Sequence, residues 1–201
     1  MGIRQGFGRM VLNFVHSERL NRKPAPPRLM KKQVSGVASH LRDIILGGQD
    51  GIVNVLGLVL GVASATNDPK IVIIAGLAST FAESISMGAV AYTSSEAEAD
   101  FYKSQKRKKL FSNSPLNSAI VVLLASFIGS VIPIIPFFLV PVKTAMVAAL
   151  ISCSVVLFIT GAFKARLTVG TWWRSGLQMT LIGIISAIAG YLIGHFLGIL
   201  L

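Results

Sequence analysis

Cysteine and acidic residues are scarce in this chain: among 201 residues there are one cysteine and only eight aspartates and glutamates, against 19 lysines and arginines. The lone Cys153 excludes an internal disulfide and any zinc site built from several thiolates, and its apolar surroundings read as those of a small buried side chain. No nucleotide-binding loop of the Gly-x-x-x-x-Gly-Lys-[Ser/Thr] type occurs. His16, His40 and His195 do not group. Charged residues make up 13% of the chain and hydrophobic ones 53%, with a mean hydropathy of +0.70, which excludes an ordinary soluble domain of this size.

What the chain has instead is length in its apolar runs. Several reach about 20 residues, enough to cross roughly 30 Å of hydrocarbon as a helix, and none alternates as a barrel strand would. The expected fold is an all-α membrane protein, a five-transmembrane-helix bundle with spans at about 41–65, 71–94, 116–139, 144–163 and 176–199. Pro133 and Pro136 predict a kinked or irregular second half for the third span. Thr66-Asn67-Asp68-Pro69 predicts a polar turn.

The net charge of +11 would suggest nucleic acid in a soluble protein, but here the basic residues sit almost entirely between the spans. Counted segment by segment, Lys and Arg number nine through Arg42, one near 66–70, five in 95–115, one in 140–143 and three in 164–174. Because basic loops stay cytoplasmic, this alternation predicts a cytoplasmic amino terminus and a carboxyl terminus outside, with Trp172 and Trp173 as an interfacial anchor. Residues 1–40 divide from the five-helix membrane domain expected at 41–201. Residues 1–20 read either as a basic amphipathic helix on the membrane surface or as a basic tail, and Asn21–Lys32 as a Pro-rich linker. The basic run at Lys106–Lys109 suits anionic lipid headgroups.

Three acidic residues fall inside spans: Asp43, Asp50 and Glu83. Asp43 and Asp50, seven residues apart, share one helix face, and Gly47, Asn54, Gly57 and Gly61 continue it. An aspartate facing lipid near mid-membrane costs about 2.5–3.5 kcal/mol, so this face looks at another helix, a water path or a cation. No Lys or Arg lies deep enough in a span to pair with the three. A carboxylate desolvated without a partner favours its neutral form, so a cation displacing that proton would make an exchange site. Asp43 also reads as an interfacial residue at the helix mouth. On the second span Glu83 and Met87 stack four residues apart, with Gly76, Ser79 and Thr80 near the same stripe. A thioether beside carboxylates favours borderline ions such as Fe²⁺ over Mg²⁺ or Ca²⁺, although a methionine in a span also simply fills space. Gly57 and Gly61, at GxxxG spacing, suit close packing within the subunit or at a dimer face together with Gly47.

These residues carry a resemblance. Arg42-Asp43-Ile44-Ile45-Leu46-Gly47-Gly48-Gln49-Asp50-Gly51 resembles the first-span signature of the vacuolar iron transporter family, and the likeness continues through Ala75-Gly76-Leu77-Ala78, Ser84-Ile85-Ser86-Met87-Gly88 and Glu98-Ala99-Asp100-Phe101-Tyr102. It reappears at Ile132-Pro133-Ile134-Ile135-Pro136 and near Tyr191, covering about residues 41–199. The resemblance implies a homodimer of five-span subunits with a metal path at the interface, lined by Asp43, Asp50 and Met87, and Fe²⁺ leaving the cytoplasm in exchange for protons. Where many members carry a glutamate after Gly-Leu-Ala, this chain has Ser79, and its carboxylate comes one turn later as Glu83. The glutamate-rich cytoplasmic domain of plant members is absent. Glu96, Glu98 and Asp100 are left as either a capture site for metal or a solvated helix end.

The expected function is therefore a proton-coupled secondary transporter exporting Fe²⁺, or alternatively Mn²⁺, as substrate. Asp43, Asp50, Glu83 and Met87 are the metal residues, and Asp50 and Glu83 the proton-coupling ones. No prosthetic group and no nucleic acid are expected; the partners are the metal ion, protons, the bilayer and a second copy. A prokaryotic cell membrane fits better than a vacuole, since no organelle-targeting signal is evident. The rival classes are an intramembrane aspartate enzyme, for which neither Gly-x-Gly-Asp nor paired aspartates after Asp-Gly occur, and a non-transporting metal sensor.

Overall fold

A computed structural model describes residues 28–104, 114–167 and 170–200, with the side chains of the first helix described from His40 onward. The described residues form α1 (Arg28–Thr66), α2 (Pro69–Ser104), α3 (Pro115–Val131), α4 (Ile135–Leu139), α5 (Val142–Leu167) and α6 (Trp172–Leu200). The expectations for residues 1–20 and for Lys106–Lys109 lie outside the described residues, as does the linker before Arg28.

Four of these helices, α1, α2, α5 and α6, are long and apolar enough to cross a membrane. The protein is an all-α, multi-pass membrane protein. The third expected span is built differently. α3 is apolar but only 17 residues long, and it passes through a turn containing Pro133 into the five-residue α4, with Pro136 in the first turn of α4. Each proline lacks an N–H and clashes with the preceding turn, so one continuous helix is not available to this stretch. Ser114 accepts a hydrogen bond from the Asn117 N–H at 3.2 Å and Pro115 opens α3, a helix start built from the chain's own polar punctuation.

α1 and α2 run further than their expected spans. α1 begins at Arg28, immediately after Pro27, so the expected boundary at residue 40 falls inside a helix. α2 continues through Glu96, Glu98 and Asp100 to Ser104, because alanine, glutamate and lysine are strong helix formers whether or not lipid surrounds them. Between the two, Asn67 takes φ 50° and ends α1, and Asp68 Oδ1 accepts the Lys70 N–H at 2.8 Å at the start of α2, which is the polar turn expected there.

α1 is the central helix. Half of its apolar window is buried, against 28%, 22% and 17% for α2, α5 and α6. Val55, Leu56 and Val59 of α1 are fully enclosed with Val72, Ala145, Ala149, Cys153 and Leu157 from around the bundle. The outer faces are as apolar as the core, with Ile74, Ile85, Ile128 and Ile185 exposed to whatever surrounds the bundle. Contact between helices therefore depends on close fit more than on apolar burial. Gly57 and Gly61 meet Ser186 and Gly190 of α6, and Gly47 and Gly51 meet Val122, Ser126 and Ser130 of α3. In both seams residue numbers rise together, so α1, α3 and α6 are parallel, while α2 and α5 run the opposite way.

Candidate functional site

The site is built on the antiparallel pair α1 and α2. Asn54 Nδ2 donates to Glu83 Oε1 at 2.8 Å, and Val59 packs against Gly76 further along, which fixes the register. Asp50 lies one turn before Asn54 on α1 and Met87 one turn after Glu83 on α2, so antiparallel running brings them to a similar depth. Asp50 is within electrostatic reach of Glu83. Asp50, Glu83 and Met87 are all half-buried, and Asn54 is exposed. Two carboxylates, an amide and a thioether thus share one partly open wall, a mixed oxygen and sulfur donor set.

Glu83 and Met87 occupy the edge of α2 rather than its inner stripe. Val72, Gly76, Thr80, Ser84 and Gly88 form the buried stripe, and Thr80 and Ser84 turn their hydroxyls back to the carbonyls of Gly76 and Thr80 at 2.9 and 2.6 Å. Gly76 and Thr80 therefore belong to packing, not to the stripe of Glu83 as expected. Ser79, at the position of the missing glutamate, is half-buried one turn before Glu83.

Asp43 is in a different setting. It is 1% exposed, and Arg42 Nε and Nη2 donate to its Oδ1 at 3.3 and 3.1 Å. The expectation that no cation reaches a span carboxylate fails here. Arg42 points a quarter-turn away on the helix, but its long side chain, 64% exposed, bends back over its neighbour with the guanidinium toward the surface. Among the described residues Asp43 Oδ2 is buried without a hydrogen-bond partner, as are the hydroxyls of Ser126 and Ser130 on the α3 face that packs against α1. Buried polar atoms are usually satisfied, so the two serines make the α1–α3 seam unusual and Asp43 is an unusual carboxylate beside it in sequence.

The small-residue face of α1 is divided between two neighbours. Gly57 and Gly61 face Ser186, Gly190 and Gly194 of α6; a methyl at Gly57 would stand 2.8 Å from Ser186 Oγ, and one at Gly61 2.9 Å from the Gly190 carbonyl oxygen. Ser186 Oγ also donates to the Val53 carbonyl at 3.0 Å across this seam. Both glycines thus have partners within the chain. An open groove of about 530 Å³ runs along the seam and touches the carboxylate wall only at Asn54.

Glu96, Glu98 and Asp100 stay apart from this wall. Glu96 is 13 residues beyond Glu83, about 20 Å along the helix. Asp100 is taken by Lys103 at 2.9 Å, and that hydrogen bond raises the Lys103 pKa above the usual lysine value. Among the described residues no three His, Cys, Asp or Glu side chains converge on a point where an ion could be held. Sequence reasoning placed Asn54 on the acidic face but gave it no role; its position one turn after Asp50 was the available signal. The serines of α3 at 118, 126 and 130, four and eight residues apart, and the glycines of α6 at 190, 194 and 198 were equally visible as spacing and were not used.

Comparison with known proteins places this geometry in a family. The model of the VIT family matches residues 41–113 and 107–195, two stretches that meet between α2 and α3. An uncharacterized protein of Methanocaldococcus jannaschii is 31% identical over 170 residues, covering 76% of this chain and 88% of its own. Vacuolar iron transporter 1 of Eucalyptus grandis is 26% identical over 208 aligned positions, covering 75% of this chain and 84% of its own. That alignment is longer than the whole of this chain, so the eucalyptus protein carries residues missing here. Vacuolar iron transporter of Plasmodium berghei is 41% identical over 70 residues, 35% of this chain and 26% of its own. With both halves of the bundle matched, the chain belongs to the VIT family, whose named relatives are iron transporters rather than enzymes.

Proposed function

We infer that this protein is a secondary transporter that moves Fe²⁺, or Mn²⁺ in the alternative reading, out of the cytoplasm in exchange for protons. The observation that carries the reading is the Asn54–Glu83 hydrogen bond, which ties a carboxylate to α1 within electrostatic reach of Asp50. In this reading α3, its turn and α4 make the fifth crossing, and the end of the bundle bearing Arg42 and Arg166 faces the cytoplasm. The ion enters past Asp43, whose Oδ2 is the oxygen not engaged by Arg42. It then reaches Asp50 and Glu83, which release protons as it arrives, while the Met87 sulfur favours iron over harder ions.

One chain offers two carboxylates at this wall, fewer than a divalent ion takes from a purely protein site. A second copy supplying the same residues across a two-fold axis would complete the donor set, which supports a homodimer. The archaeal relative supports a prokaryotic cell membrane as the setting. The test is reconstitution in liposomes, following Fe²⁺ and Mn²⁺ entry together with internal pH for wild type and Asp50→Ala. Metal flux with opposite proton movement, lost in Asp50→Ala, is expected. Absence of flux in the wild type overturns transport; flux without proton movement overturns the exchange alone.

A further inference from the structure

The end of the bundle remote from Asp43 carries a cavity that the transport reading does not use. It has a volume of about 460 Å³ and lies where the ends of α1 and α6 meet the start of α5. Asn67, Lys143, Tyr191 and Ser64, whose hydroxyl is turned to the Gly61 and Tyr191 carbonyls, supply its polar wall and Val147 part of its apolar one. A second cavity of about 240 Å³ adjoins it, sharing Met146, Val147 and Tyr191, and its remaining wall, Leu60, Leu150, Ala187 and Ile188, is hydrocarbon. Leu60 is seven residues from Asn67 and Leu150 seven from Lys143, so both lie about 10 Å deeper along their helices. Val147 is 58% and Ile188 53% exposed, so this trough opens sideways to the bilayer.

The chemistry changes with depth. At the mouth stand an ammonium and a side-chain amide; below them is a trough without charge. Asp68, on the same turn as Asn67, does not line the mouth and accepts the Lys70 N–H. Tyr191, its ring stacked on His195 at 5.8 Å, borders both compartments. A cationic mouth over a membrane-facing apolar trough matches an amphiphile with an anionic head and a hydrocarbon tail. We propose that this site holds one anionic phospholipid, its phosphate against Lys143 and Asn67 and one acyl chain along Leu60, Leu150 and Ile188.

The experiment is native mass spectrometry of the delipidated full chain in detergent with added phosphatidylglycerol, phosphatidylcholine or inorganic phosphate. One phosphatidylglycerol retained per chain, in preference to phosphatidylcholine and undisplaced by inorganic phosphate, is expected. Lys143→Gln lowers that retention by about fivefold, the size of one interfacial cation's contribution. Val147→Trp, which fills the shared wall from an exposed position, lowers it further, and Lys143→Arg leaves it intact. Equal retention of the two lipids, retention unchanged in both Lys143→Gln and Val147→Trp, or displacement by inorganic phosphate overturns the proposal. So does a Val147→Trp variant that keeps its lipid but loses a second copy, because the face is then a subunit contact.

Discussion

Asp43 is buried on α1 and engaged by Arg42, whereas Glu83 is half open and, among the described residues, held by the amide of Asn54. Both are carboxylates on long apolar helices, yet their free oxygens differ in kind. Asp43 Oδ2 is buried with no partner among the described residues, and an ion reaching it must first find a way past the side chains that cover it. Glu83 keeps Oε2 unbonded among the described residues on a wall already partly exposed, with Asp50 and Met87 near it. A neutral amide positions a carboxylate without neutralising it; a guanidinium does both. In the proposed transport reading, this difference would give the holding of the ion to the α1–α2 wall and leave Asp43 as an entry residue.

The largest effect expected follows from removing Glu83. Glu83→Ala lowers metal flux in proteoliposomes by about a hundredfold, the order set by losing one charged interaction of roughly 3 kcal/mol, while Asp43→Ala costs less. Equal losses would erase the distinction between the two carboxylates. Next, Gly57→Leu drives a side chain into Ser186 and destabilises the bundle by about 1–3 kcal/mol, seen as a lower unfolding temperature in detergent. An unchanged midpoint there would mean that α6 yields easily and the seam is not a fixed wall. Asn54→Leu then frees Glu83 from α1 and lowers flux by about tenfold, with folding intact because Asn54 is exposed. Met87→Ala has a smaller effect, read as a reduced preference for Fe²⁺ over Mn²⁺ at similar total flux; an unaltered preference returns Met87 to packing. Smallest of all, Lys103→Ala breaks a fully solvated pair with Asp100 and leaves both flux and unfolding temperature unchanged.

Much of the bundle was legible in the chain because its signals are local. Apolar length marked the spans, Pro133 and Pro136 marked the break between α3 and α4, and Asn67-Asp68-Pro69 marked the turn. Helix extent was less legible: Arg28–His40 and Ser95–Ser104 are polar enough to look like loops, but helix formation in them needs no lipid. The wheel draws the face of α1 as one stripe from Asp43 to Gly61, but it does not say which helix meets which part of it. α3 takes the stripe near Gly47 and α6 takes it near Gly57 and Gly61, a division set by how three parallel helices lean on one another. Arg42 was missed for a related reason. Adjacent helical residues point about 100° apart, and only the reach of an arginine side chain closes that angle.

The central claim is that the ion sits at the wall formed by Asp50, Asn54, Glu83 and Met87. The most direct measurement is the electron paramagnetic resonance spectrum of Mn²⁺ added to the purified protein, compared for wild type, Glu83→Gln and Asp43→Asn. The account predicts a bound-Mn²⁺ signal that Glu83→Gln loses and Asp43→Asn keeps. A signal that survives Glu83→Gln and disappears in Asp43→Asn would move the ion to Asp43 and contradict it.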